Sequence, residues 1–189
     1  RHPKAKLIQT THTGELAIRF GRKAKNLIES TEYERVFPEV RLAADSKAAG
    51  RWESNHKGEY FAAGVGGAIT GRGADLLIID DPHSEQDALS PSVLDSHYEW
   101  YTSGPRQRLQ PGGAIVLVMT RWSVKDLTGR LLAAQGKEEM SDEWEVVEFP
   151  AIINDKPMWG NFWSMKGLQG VKASIPLTKW QAQWMQQPT

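Results

Sequence analysis

Two runs of large aliphatic residues without polar alternation, Leu76-Leu77-Ile78-Ile79 and Ala114–Met119, constrain the fold of this chain more than any other feature. A strand with one wet face alternates apolar with polar residues. Runs that do not alternate read as strands buried on both faces, as in a parallel sheet covered by helices. About 30 residues separate Asp81 from Ala114, enough for a helical right-handed crossover, so both strands are expected to run the same way. Their C-terminal ends then share one rim of the sheet, the rim outside which open α/β sheets bind ligands. The first run ends in Asp80-Asp81 and the second leads into Thr120-Arg121.

Two carboxylates at the end of such a strand can hold Mg²⁺ on nucleotide phosphates and help activate a water, the chemistry of a Walker B segment. The same residues also fit a strand entering an Asp-Asp-Pro turn. The shared rim with Thr120-Arg121 favours the first reading. Upstream lies Gly66-Gly67-Ala68-Ile69-Thr70-Gly71-Arg72-Gly73. Its spacing imitates a phosphate-binding P-loop, but Arg72 replaces the lysine and Gly73 replaces the Mg²⁺-binding hydroxyl residue. The glycines also lead into a strand, whereas a P-loop opens a helix whose N–H groups face the phosphates. What remains is a loop carrying a permanently charged guanidinium able to fork onto phosphate oxygens. The loop alone equally fits a glycine turn with an exposed arginine.

The remaining elements follow from local signals. Lys6–Thr10 reads as a strand. Thr13 suits an N-cap, with Glu15 in the first helical turn. Leu16, Phe20, Ala24, Leu27 and Ile28 then recur at helical spacing, while Arg19, Arg22, Lys23 and Lys25 occupy the other face. Those four cations are candidate phosphate contacts on a face that solvent alone would also explain. Phe37-Pro38 breaks the pattern. Gly50–Ser54 and Glu59–Gly64 read as a strand pair joined by Asn55–Gly58. Ser90-Pro91 starts a helix with Val93, Leu94, His97, Tyr98 and Tyr101 on one face, and Gly104-Pro105 stops it. Ser123 is expected to cap a further helix, with Val124, Leu127, Leu131 and Leu132 as its buried stripe and Gly136 at its end. Trp144–Phe149 is expected to form one more strand. Beyond Pro150 the chain reads as irregular, with a helix near Pro176, and its tryptophans read as packing rather than as a base-stacking platform. Arg106 and Arg108 are weaker candidates for DNA or nucleotide.

Strand and helix alternation of this kind predicts an α/β fold with a predominantly parallel sheet. The 189 residues carry 23 basic and 23 acidic groups, but in blocks. Residues 1–51 have a surplus of five positive charges, residues 52–100 a surplus of seven negative, and residues 156–189 four lysines with no acid. A neutral total therefore leaves room for a basic groove facing a polyanion. Cysteine is absent, which excludes disulfides, thiolate catalysis and cysteine-type zinc sites. No apolar stretch is long enough to cross a bilayer, and the first residues lack the apolar core of a secretory signal.

With these residues in view, the stretch from Gly66 through Ile79 to Asp80-Asp81-Pro82-His83 resembles the large terminase subunit of tailed bacteriophages. Val118-Met119-Thr120-Arg121-Trp122 resembles that family's motif on the following strand. Pro150-Ala151-Ile152 and Gln183–Thr189 resemble the end of its ATPase domain. The resemblance runs from about Lys6 to Thr189 and is most specific from the glycines to Asp81. It implies a DNA-packaging motor, in which an ATPase drives viral double-stranded DNA into a procapsid and a C-terminal RNase H-like nuclease cuts it.

The implied fold is the additional-strand P-loop NTPase (RecA-like) type, with the strand ending at Thr120 lying between the P-loop strand and the Walker B strand. By this resemblance Asp80 is the Mg²⁺-associated acid. Asp81 is the catalytic carboxylate that orients or deprotonates the attacking water, one methylene shorter than the Glu usual there. Thr120, with Arg121, belongs to the motif coupling nucleotide state to movement. Arg72 acts across subunits, and arginine fingers in general are worth on the order of 10³–10⁵ in rate. The implied cofactors are ATP and Mg²⁺. The implied partners are viral DNA, a portal protein, a small terminase subunit and further copies in a homo-oligomeric ring. The implied place is the host cytoplasm, at the procapsid, not secreted and without a membrane.

No Walker A loop and no nuclease acid cluster occur in the sequence, so the sheet is expected to be incomplete and the chain an internal piece of the ATPase domain. Residues 1–150 would form the partial core and residues 151–189 a covering segment leading to the nuclease. ATP binding by such a piece is expected to be weak and hydrolysis negligible. Two other classes stay open: a helicase-type ATPase, which should show a second RecA-like half, and a non-catalytic α/β module binding nucleic acid or a partner through the basic first helix.

Overall fold

A computed structural model describes residues 2–137 and 141–189 of the chain. It divides into two compact units: Arg1–Ser84 with Asp95–Met119, and Glu85–Leu94 with Thr120–Thr189.

The first unit is built on a six-stranded sheet in the order β2-β3-β4-β1-β5-β6. Its strands are β1 (Lys6–Thr11), β2 (Leu42–Ala48), β3 (Arg51–Ser54), β4 (Glu59–Gly64), β5 (Ala74–Asp80) and β6 (Leu109–Val118). The four strands β4, β1, β5 and β6 are mutually parallel. The pairs β2–β3 and β3–β4 are antiparallel, so the sheet is mixed and mostly parallel. The β3–β4 turn falls on residues 55–58 as its composition predicts. Lys57 takes a positive φ there, and the Ser54 hydroxyl accepts from the backbone N–H of Gly58 at 3.0 Å.

Helix α1 (Gly14–Ile28) starts where Thr13 caps it, the Thr13 hydroxyl accepting from the Leu16 N–H. Its buried contact differs from the expected large-residue stripe. Ala17 and Gly21 are the buried positions, and Leu27 is mostly exposed. Small residues let the helix axis approach the sheet closely. A Cβ on Gly21 would fall 2.4 Å from the Ala49 carbonyl oxygen, and the Trp52 indole N–H donates to the Gly21 carbonyl. The core beneath comprises Ala17, Trp52, Tyr60 and Ala62 with Leu7, Ala24, Ile28 and Leu42. The Trp52 and Tyr60 rings stack at 4.7 Å. A short α2 (Thr31–Val36), capped by Ser30, precedes Phe37-Pro38.

Strand β5 meets the expected two-sided burial on one face only: Leu77 and Ile79 are fully enclosed, while Leu76 and Ile78 on the other face are half-buried. Strand β6 falls further short. It is the edge strand of the sheet, and its burial alternates: Ile115 and Leu117 are half-covered, while Val116 and Val118 are 45% and 54% exposed. An apolar run reports that apolar contact suits both faces; whether both faces are covered depends on which neighbours are present. Helix α3 (Pro91–Ser103) follows β5 and ends at Gly104-Pro105 as expected, with Leu94 and Tyr101 as its buried positions.

In the second unit α4 (Leu127–Ala134) begins one turn later than expected. Its cap is Asp126, not Ser123, and Val124 is exposed. The Asp126 carboxylate offers two acceptor oxygens and takes several N–H groups at once, which a single serine hydroxyl cannot match. Residues 144–149 form no strand, and Val146, Val147 and Phe149 stand exposed. A small hairpin follows, β7 (Ile152–Ile153) with β8 (Lys156–Pro157). Then come α5 (Met165–Ser174), which the sequence pattern left as irregular chain, and α6 (Leu177–Lys179), which continues into a π-helical turn over Trp180–Trp184. Among the described residues no helix is long and apolar enough to cross a membrane.

Candidate active site

The parallel register brings four strand ends into one row. Gly64 of β4 pairs with Thr11 of β1, Thr11 pairs with Asp80 of β5, and Asp80 pairs with Val118 of β6. The C-terminal rim expected from two aliphatic runs therefore exists, and Asp80 lies on it between β1 and β6. Asp81 follows with a positive φ of 43°, a conformation Asp tolerates better than most residues. Its backbone N–H donates to the Val118 carbonyl at 2.8 Å, which ties the doublet to the end of β6. Pro82 is buried behind it.

The two carboxylates differ in surroundings. Asp80 is half-buried and Asp81 is exposed. Burial first, and the neighbouring Asp81 charge second, push the Asp80 carboxyl above the usual carboxylate range. An ionised Asp80 is thus held at a cost that a cation would relieve. Among the described residues no cluster of three or more His, Cys, Asp or Glu could ligate a metal by itself. Two carboxylate groups fit a Mg²⁺ that keeps waters and takes further oxygens from a phosphate.

Other residues join this rim. Thr11 is fully buried and its hydroxyl donates to the Thr13 carbonyl, fixing the turn into α1. Gly64 has no alternative: a Cβ there would meet the Gly14 nitrogen at 2.4 Å, so β4 ends against the first turn of α1. His83, buried just beyond the doublet, places its Nδ1 2.8 Å from Nδ1 of His97 on α3, the rings stacked at 4.8 Å. One imidazole must donate and the other accept, so at least one of the pair is neutral while this bond stands. The sequence placed His97 on the apolar face of α3 and His83 after Asp-Asp-Pro, but their meeting depends on how α3 crosses back over the sheet.

Arg72 lies elsewhere. Its guanidinium packs over the Phe61 ring, 4.0 Å from the centroid. Phe61 is level with Ile8 and Leu77, three residues below the Asp80 row and two strands across. Strand geometry makes that roughly 10 Å down and roughly 10 Å sideways, so in one chain Arg72 does not reach the doublet. Of the α1 cations, Arg19, Arg22 and Lys23 are exposed, whereas Lys25 is half-buried and 4.0 Å from Glu29.

Thr120 and Arg121 belong to the second unit, two and three residues along the chain from Val118. The Arg121 Nε donates to both Asp126 oxygens, at 3.2 and 3.0 Å. Asp126 is completely buried, and its carboxylate also accepts from the backbone N–H groups of Trp122, Ser123 and Gly129. Gly129 is required there, since a Cβ would stand 2.1 Å from the Val124 carbonyl oxygen. The Arg121 side chain is therefore committed to anchoring the start of α4.

No family model matches the chain, and no curated protein matches it in sequence. In structure the chain is similar to the large terminase of bacteriophage HK97, with a TM-score of 0.58 and 16% identity over 97% of its own length. The fold is terminase-like. The chain spans 40% of the HK97 protein, and at this identity the likeness concerns fold alone. It agrees with the mixed α/β sheet described above and supports the terminase resemblance at the level of architecture.

Proposed function

We propose that this chain is the nucleotide-hydrolysing part of a terminase-type motor, coupling ATP hydrolysis to translocation of viral double-stranded DNA into a procapsid. The observation that carries the reading is the row Gly64–Thr11–Asp80–Val118, which puts the acid doublet on the ligand-binding rim of a parallel sheet. In this role Asp80 holds the metal, and Asp81 orients the attacking water and accepts its proton. A bound Mg²⁺ would supply charge neutralisation on the transferring phosphate. The Asp81 N–H to Val118 carbonyl bond fixes the backbone from which the Asp81 carboxylate extends at the rim. Thr120 and Arg121 would couple the rim to movement, since the Arg121–Asp126 ion pair links their segment to α4.

The reading requires a longer protein. A strand carrying a phosphate-binding loop would pair with the outer edge of β6 and cover Val116 and Val118, completing an additional-strand P-loop sheet. DNA cutting would reside in a further domain. Arg19, Arg22 and Lys23 would meet DNA phosphates, and Lys25 contributes less because Glu29 lies beside it. A portal protein, a small terminase subunit and further copies in a ring complete the assembly, in the host cytoplasm at the procapsid.

The test is ATP hydrolysis by the longer protein. Asp80→Ala and Asp81→Ala should each lower kcat on the order of 10²-fold or more, while residues 1–189 alone should show no turnover. Near-normal hydrolysis by the double variant would overturn the catalytic reading.

A further inference from the structure

The second unit carries a line of aromatic rings that runs from its interior into solvent. Trp180 is 2% exposed. It stacks on Trp184 at 5.7 Å, Trp184 meets Trp163 edge-on at 5.3 Å, and Trp163 meets Phe162 edge-on at 5.6 Å. Phe162 then stacks on Trp159 at 4.8 Å with 23° between the planes. The last two rings are 66% and 64% exposed. The segment holding them is well braced. The Trp159 carbonyl accepts from the N–H groups of Phe162 and Trp163, and the N–H of Met158 donates to the Ala151 carbonyl. Two large rings are thus held rigidly at the surface, contributing contact to each other but little to the core.

The charged residues next to them along the chain are basic. Lys156 precedes Trp159 by three residues and Lys166 follows Phe162 by four, and both are exposed. Lys172 belongs to the other end of the line: its ammonium is 6.0 Å from the Trp180 ring centroid, and it lines a cavity together with Asp155. Lys179 is paired with Glu85. From residue 156 to residue 189 there is no carboxylate side chain, and Asp155 is the acid that borders the segment.

We propose that the Trp159–Phe162 pair is a stacking platform for a single-stranded nucleic acid, with the sequence-adjacent Lys156 and Lys166 taking its phosphates. Unpaired bases present π-faces that extend an aromatic stack, and the backbone between them supplies the negative charge the lysines face. A duplex hides its base faces, so the platform distinguishes single strands or frayed ends from intact double helix. This does not depend on the acid doublet or on nucleotide hydrolysis.

Fluorescence anisotropy of a labelled oligothymidylate added to the chain reads the proposal directly, with an intact duplex of equal length as comparison. The single strand should bind more tightly than the duplex, and its affinity should fall steeply as salt rises. Trp159→Ala and Phe162→Ala should each weaken it roughly 5- to 100-fold and leave duplex binding unchanged, with circular dichroism showing the fold intact. Trp159→Tyr keeps a ring and should retain most of the affinity. Lys166→Ala should lower the slope of log affinity against log salt by roughly 0.7. The proposal is overturned by no preference for single strands, or by a Trp159→Ala/Phe162→Ala double variant that binds as the parent does.

Discussion

At the residue scale the most informative group is Asp80. Its carboxyl is pushed up by burial and by Asp81, so the folded state prefers it protonated. The associated stability is fully present below the ordinary carboxylate pKa and is lost as pH rises through the raised value. Asp80→Asn mimics the protonated form. At pH 7 it should therefore raise the melting temperature, and the gain should shrink to nothing below about pH 4. A gain independent of pH, followed by calorimetry across that range, would remove the burial argument. Asp126 is a matter of bonding geometry. It is buried, ionically paired and accepts from three backbone N–H groups. Asp126→Ala leaves Arg121 without its carboxylate and α4 without its cap. The expected loss is about 3–5 kcal/mol in denaturant unfolding, and a loss under about 1 kcal/mol would show the network to be ornamental. The sequence presented Arg121 as a rim residue and Ser123 as the cap of α4. The Arg121–Asp126 bond was not legible because four residues of irregular turn lie between them, and only the folded turn points them together.

At the element scale, strand identity was readable and strand environment was not. β1, β3, β4 and β5 lie within a residue or two of where composition and turn signals put them. β6 was recognised as a strand but misjudged as buried on both faces. The β2 strand has no apolar run, Leu42-Ala43-Ala44-Asp45-Ser46-Lys47-Ala48, and exists because β3 pairs with it. Helix α1 was found at the right place but rotated: its close contact uses Ala17 and Gly21, which a count of large apolar residues ignores. That contact predicts an inversion of helix propensity. Alanine normally stabilises a helix over glycine by about 1 kcal/mol, yet Gly21→Ala should cost about 1–3 kcal/mol because its Cβ would strike the Ala49 carbonyl. Gly170→Ala in α5, where a Cβ meets nothing within 4 Å, should follow the normal sign. Equal effects at the two sites in urea unfolding would refute the close-packing account.

For the whole molecule the central question is what completes the rim. Asp80 and Asp81 sit at the shared end of four parallel strands, but Arg72 is held over Phe61, away from that row. If Arg72 contributes to hydrolysis, it does so on a neighbouring copy. In the longer protein, mixing Arg72→Ala subunits with Asp81→Ala subunits should restore part of the ATPase activity that each lacks alone. No restoration at any mixing ratio would leave Arg72 as a packing residue on the sheet face.

What the sequence determined by itself is what depends on near neighbours along the chain. Unalternated aliphatic runs specify strands, a helix-length spacer between them specifies parallel direction, and parallel direction specifies a shared rim with Asp80-Asp81 upon it. What only the tertiary structure decided is what depends on pairings distant in sequence. That β6 is an edge, that α1 packs through Ala17 and Gly21, that His83 meets His97 and that Arg72 stacks away from the acids are all set by which surfaces adjoin. Burial and side-chain partnership are properties of those surfaces, and local periodicity carries no record of them.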